Sequence, residues 1–281
     1  MTAALFRVAS ERGPRLARGS VEAGPLELLG QDVRLDGLLA SGTSLSAVLS
    51  DWPGHGPCPP GSPVLAPIES QEVWCTGVTY ERTREARRTG ASEPAIYDRL
   101  YDAARPELFF KAPGWRVRGP GESVTVRADS AWNMAEPELG LVIAADRSIE
   151  GFVIANDMTA RSIEADNPLY LPQAKVYDGG CALGPAIVPI DEAGWPLPIL
   201  MRIVRAGEVL FEGQTTTARM RRSLEDLAGY LFRALRFPVG VVLLTGNGVV
   251  PDASVSLRAG DRVEIEIEPL GALLNPVVSV A

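Results

Sequence analysis

Glu136 and Glu138 stand two residues apart at the head of an apolar run, Trp132-Asn-Met-Ala-Glu-Pro-Glu-Leu-Gly-Leu-Val-Ile-Ala144. Side chains alternate along a β-strand, so both carboxylates face one way and Pro137 and Leu139 the other, with the acids about 6–7 Å apart. Like charges that close raise each other's pKa unless a cation sits between them. Spacing alone also describes the solvated face of a half-buried strand, and E-x-E is a weak pattern. Pro137 cannot donate to a ladder, which places this part of the strand at an edge or an end.

A third acid follows. The apolar segment from Ile149 ends in Asn156-Asp157-Met-Thr159, with Arg161 just beyond. An antiparallel hairpin through Asp146-Arg-Ser148 would bring Asp157 beside Glu138. With one histidine in the chain and no paired-cysteine spacing, such a set is all oxygen, which favours Mg²⁺, Mn²⁺ or Ca²⁺ over zinc. The basic residues are nearly all arginine, and Lys111 and Lys175 are the only lysines. A lysine kept in such a composition suits a site that needs a compact ammonium or a group able to change protonation.

The elements that must position these groups belong to an ordinary soluble chain. It has 281 residues, 46% hydrophobic and 22% charged, enough for a substantial core and one or two domains. A net charge of −8 argues against nucleic acid or an anionic membrane as partner. No apolar run approaches a signal peptide or a spanning helix. Three scattered cysteines, Cys58, Cys75 and Cys181, fit reduced thiols in the cytoplasm.

Residues 1–66 read as a small α/β domain closed by a Pro/Gly-rich linker from Asp51 to Pro63, which holds the only histidine, His55. Residues 67–281 form the second unit. There Val73–Val78 reads as a strand, Thr79–Arg88 and Pro94–Ala104 as helices, Arg105–Lys111 as an extended segment and Ser123–Arg127 as an edge strand. Asp166–Lys175 reads as a proline-held loop, and Ala206-Gly207 as a hairpin turn. Ser223 opens a capped helix with Leu224, Leu227, Leu231 and Leu235 on one stripe. Val241–Gly248 reads as a buried strand ending in a tight turn, and closing strands follow. Many strands and few helices give an α+β, β-rich fold.

Taken in order, the E-P-E-L strand, the N-D-x-x-x-R element, Lys175, the upstream P-x-x-F-x-K segment (Pro106–Lys111) and the T-G-x-G turn at Thr245 resemble the fumarylacetoacetate hydrolase superfamily from about Glu72 onward. That resemblance implies a mixed β-sandwich roll, with Glu136, Glu138 and Asp157 as metal ligands, Mg²⁺ or Mn²⁺ as the ion, and Arg161, Lys175, Lys111 and Thr245 at substrate-site positions. Hydrolases of the family carry N-Y-x-x-H-x-x-E after the first catalytic strand. Here Thr83 stands for that histidine and Ala86 for that glutamate.

The segments Arg84–Arg87, Tyr97–Tyr101, Arg105–Lys111 and Arg161–Lys175 are similar to the branch that dehydrates 2-keto-3-deoxy-arabinonate. The resemblance implies loss of water from a 2-keto-3-deoxy-pentonate to give 2,5-dioxopentanoate, with Lys175 and Glu107 as the acid–base pair, in either order. A C–C bond hydrolase of acylpyruvates is the alternative, and a silent protein that only binds metal a third. Relatives of this kind assemble as dimers or tetramers.

Overall fold

The computed structural model describes residues 1–88, 92 and 94–280. Its strands are β1 (Ala3–Val8), β2 (Arg15–Ser20), β3 (Gly24–Leu29), β4 (Gly54–Pro57), β5 (Val64–Leu65), β6 (Glu72–Gly77), β7 (Glu107–Ala112) and β8 (Val124–Arg127). They continue with β9 (Asn133–Ile143), β10 (Ile149–Ala160), β11 (Cys181–Pro189), β12 (Pro198–Arg205), β13 (Glu208–Thr216), β14 (Val241–Asn247), β15 (Arg262–Ile267) and β16 (Gly271–Val280). The helices are α1 (Leu35–Ser41), α2 (Leu45–Asp51), α3 (Glu81–Arg88), α4 (Ala95–Asp102), α5 (Arg161–Asp166), α6 (Leu171–Lys175), α7 (Ile190–Ala193) and α8 (Leu224–Leu231).

Eleven strands form one mixed sheet in the order β4-β3-β2-β1-β11-β10-β9-β14-β6-β7, with β5 joined to β1, and five form a second, β13-β12-β15-β16-β8. Alternation along the long strands divides two apolar cores between the faces of the large sheet. Leu139, Leu141 and Ile143 of β9 join residues of the second sheet, such as Ile265 and Leu273, in one core. Val142 and Ala144 belong to the other, with Leu35 and Leu39 of α1 and Val73 of β6. Along that second face of β9, Ala144 and Val142 give way to Gly140 and then to Glu138 and Glu136. The acids are placed by the same parity that packs the core.

Several expectations are met with local detail. The 146–148 turn joins β9 and β10 antiparallel, β8 lies at a sheet edge, and the Ser223 hydroxyl accepts the Asp226 N–H at 3.1 Å to start α8. Others are corrected. The apolar stripe of α8 ends at Leu231, and Leu235 lies beyond the helix, 38% exposed. Asp166–Lys175 is largely two short helical turns rather than a loop. The Pro/Gly-rich stretch contributes β4, which pairs with β3 at the far edge of the sheet, where a strand of four residues needs only one neighbour. Pro137 sits within an interior strand, paired with Asn156. It is tolerated because β14 ends at Asn247, opposite Glu138, so past that residue β9 has no ladder on that flank.

The large sheet is also rolled. In ladder order β7 is four strands from β10, yet the Lys111 ammonium on β7 donates to the Met158 carbonyl on β10 at 2.8 Å. Accumulated strand twist brings the two ends of this half of the sheet together, and the acids lie inside the resulting trough.

Candidate active site

Asp157 pairs directly with Glu136 across β9 and β10, and Ala155 with Glu138. Carboxylate oxygens of Glu136, Glu138 and Asp157 therefore lie within 4.8 Å of one another, all three residues buried. Burial first, and then the negative charges of Asp157 and Glu136, push the Glu138 carboxyl well above the usual carboxylate range. The opposing pull comes from Lys175 and from the Gly246 N–H, which donates to Glu138 Oε2 at 2.6 Å. Gly246 presents that N–H from φ +94°, and a Cβ there would run into the Thr79 hydroxyl. Glycine is therefore required after Thr245.

Two lysines complete the cluster. Lys175, fully buried at the end of α6, donates to Asp157 Oδ2 at 2.6 Å, Thr159 Oγ1 at 2.7 Å and Glu136 Oε2 at 2.9 Å. All three of its N–H groups are used. Lys111 pairs with Asp157 Oδ1 and donates to the carbonyls of Met158 and Lys175 at 2.8 and 2.6 Å. It fixes Asp157 from the second oxygen and pins α6 to the trough. An ammonium lodged between two of three converging carboxylates marks a place built for positive charge. The donors are hard oxygens, so the residues present fit a hard divalent cation.

Glu107 lies on the same face of β7 as Phe109, whose ring is 5.6 Å from Lys175 Nζ. Its carboxylate folds over Gly77, its ladder partner, where any Cβ would overlap it. Arg161, 3% exposed at the start of α5, pairs with Glu164 at 3.2 Å and stacks 5.5 Å above the Trp132 ring. It lines a cavity of about 180 Å³ with Glu136, Trp132 and Asn247. Thr83 and Ala86 line this cavity too, so the positions that hold histidine and glutamate in the hydrolases face the site without either group. Thr245 donates its hydroxyl to the Leu139 carbonyl at 3.0 Å and closes the strand end. His55 is exposed on β4 in a separate groove with Arg12 and Arg15.

Three contributing residues were not singled out from sequence. Thr159, an acceptor for Lys175, follows Asp157 by two and was findable from alternation. Asn247 and the indole N–H of Trp132 carried no such signal. Burial raises the Cys75 thiol well above its ordinary range and Cys181 to about 12, which disfavours a thiolate at either position.

The family model for the fumarylacetoacetate (FAA) hydrolase C-terminal region matches residues 72–278. The chain belongs to the fumarylacetoacetate hydrolase family. Among members of this family, it is 45% identical over 223 residues to the 2-dehydro-3-deoxy-D-arabinonate dehydratase of Saccharolobus solfataricus, covering 76% of this chain and 74% of the relative. It is 44% identical over 216 residues to a probable 2-keto-3-deoxyxylonate dehydratase of Haloferax volcanii, with the same coverage of 76% and 74%. A solved 2-keto-3-deoxy-D-arabinonate dehydratase, complexed with magnesium and 2,5-dioxopentanoate, superposes with a TM-score of 0.85 at 35% identity, over 98% of this chain and 99% of that one. The expected α+β sandwich-roll fold is the one found.

Proposed function

We propose that the protein is a Mg²⁺-dependent dehydratase that converts a 2-keto-3-deoxy-pentonate of the arabinonate or xylonate type to 2,5-dioxopentanoate. The observation that carries this is the Lys175 ammonium, fully buried and 2.6 and 2.9 Å from Asp157 and Glu136: a proton-transfer group held against a three-carboxylate cage. The two dehydratase relatives and the magnesium- and product-bound neighbour support it. So do Thr83 and Ala86, which stand on the cavity where the hydrolases carry their histidine and glutamate. Residues 67–281 carry every one of these groups.

Glu136, Glu138 and Asp157 would hold the ion. Held there, such an ion would supply Lewis acidity, stabilising the negative charge that develops on a 2-keto acid when a C3 proton leaves. Charge balance favours Lys175 over Glu107 as the base. Burial and the neighbouring charges favour the protonated form of Glu138, and the other two carboxylates then offset the ammonium groups of Lys111 and Lys175. With an ion held there, Glu138 would be ionised as well, and the cluster would return to neutrality once Lys175 gave up its proton. Neutral Lys175 then takes the C3 proton at Nζ. Glu107 gives a proton to the C4 hydroxyl, which departs as water. The resulting enone tautomerises to the dioxo acid.

Purified protein with Mg²⁺ and 2-keto-3-deoxy-arabinonate is expected to yield an aldehyde, trapped as its hydrazone, while acetylpyruvate stays intact. Cleavage of acetylpyruvate without turnover of the deoxy acid would replace this reading by the hydrolase one. The same reading makes the enzyme a cytoplasmic homo-oligomer, a dimer or a tetramer. In its support, the three cysteines are free and buried, and edge strand β13 exposes Val209 and Leu210. A single-chain mass of 30.0 kDa by light scattering would refute the oligomer.

A further inference from the structure

One side chain in the cavity beside the cage has an amide whose amino end finds no acceptor among the described residues. Asn247 pairs across the ladder with Glu138, so both side chains leave the sheet on the same face. It is 2% exposed and shares the 180 Å³ cavity with Glu136, Arg161 and Trp132. Its Oδ1 accepts the Val249 N–H at 2.8 Å. That contact commits the oxygen to the turn and leaves the amino end over. Among the described residues Nδ2 has no acceptor, although it is buried. Its backbone is held as well, since the Thr83 hydroxyl donates to the Asn247 carbonyl. The indole N–H of Trp132, a donor only, is likewise buried without an acceptor on this cavity. Buried donors left unpaired are costly and rare. Two of them on one small cavity beside a cation cage point to acceptors that arrive with the ligand.

We infer that Asn247 determines specificity for the far end of the substrate, with Nδ2 donating to a hydroxyl oxygen on the part of the keto acid remote from the cage. This rests on the dehydratase reading above. On that reading the carboxylate and keto group would be held through the ion at Glu136, Glu138 and Asp157, and the rest of the molecule would enter the adjoining cavity. A hydroxylated tail supplies the missing acceptor there. A hydrocarbon tail leaves Nδ2 buried and unpaired, and sites built around such a donor discriminate strongly against analogues that lack the hydroxyl. Arg161 is spoken for by Glu164 and the Trp132 ring, which leaves the neutral donors, the Asn247 amide and the Trp132 indole, as groups suited to neutral hydroxyls, and of the two the amide is the one paired with Glu138 across the ladder.

The test compares Asn247→Asp and Asn247→Ala with the unaltered protein in excess Mg²⁺. Aspartate keeps an oxygen for the Val249 N–H and loses only the amino donor, and alanine controls for the added charge. Two constants are measured, KM for 2-keto-3-deoxy-arabinonate and Ki for pyruvate, a 2-keto acid with no tail. The expected result is a KM raised at least about tenfold in both variants, with Ki for pyruvate held within about twofold. Equal weakening of both ligands would show that Asn247 only shapes the turn, and a KM within about twofold of the unaltered protein would show that its amide is idle. Either result overturns the inference. An unaltered protein that binds pyruvate but leaves the deoxy acid untouched fails the dehydratase reading instead, and takes with it the substrate this inference needs.

Discussion

Replacing Lys175 by methionine keeps the volume of the side chain and removes its charge. The ammonium is fully buried, and its partners Glu136 and Asp157 are 5% and 1% exposed at the side chain, so little solvent is at hand to compensate the two carboxylates when it is lost. Removing one partner of a buried pair costs about 3–5 kcal/mol, because the remaining charge is left uncompensated. At roughly 2 °C per kcal/mol for a chain of this length, the melting temperature in EDTA is expected to fall by about 6–10 °C. A dication in the cage neutralises the same carboxylates. At a hundredfold excess over its dissociation constant it returns about 2.7 kcal/mol, and it meets no competing ammonium in the variant. The deficit against the unaltered protein should therefore shrink on adding Mg²⁺, while turnover stays down by about 10²–10⁴ for want of the base. Paired thermal melts in EDTA and Mg²⁺, with an aldehyde assay, check all three. A deficit below about 2 °C in EDTA, or one that Mg²⁺ leaves unchanged, would refute the claim that Lys175 is the counter-charge of the cage.

Two further outcomes follow from the same geometry. Folded Glu138 holds its proton above its ordinary value of 4.5, so over that interval the folded state carries more protons than the unfolded one and loses stability as pH rises through it. Relative to Glu138→Gln, the metal-free protein should melt progressively lower as pH is raised above that ordinary value, and Mg²⁺ should reverse the trend by expelling the proton; a flat difference would contradict it. At the other end of the site, Gly77→Ala puts a methyl group where the Glu107 carboxylate lies. That carboxylate ends a flexible side chain and swings aside, so the fold should survive with a stability change within about 1 kcal/mol, while kcat falls as far as in Glu107→Gln and pyruvate binding is kept. An unchanged kcat would remove Glu107 from the reaction.

The cage was legible because its rule is local. Two residues per repeat on a strand put Glu136 and Glu138 on one face, and the short turn at Asp146–Ser148 fixed the register that brought Asp157 to them. The rarity of lysine singled out Lys111 and Lys175, and a serine before an apolar stripe marked the start of α8. Tertiary structure decided what those groups touch. Lys111 was expected at the substrate and is found bracing Asp157 and α6, a contact that exists only because the rolled sheet returns β7 over β10. Asn247 faces the cavity because β14 pairs with β9 from more than a hundred residues away, and the same pairing stops one residue short of Pro137, which is why a proline can sit in that strand. Periodicity records which face a side chain takes, whereas the curl of a sheet and the choice of its neighbours are set by how all the strands pack at once, and no stretch of the chain carries that information alone.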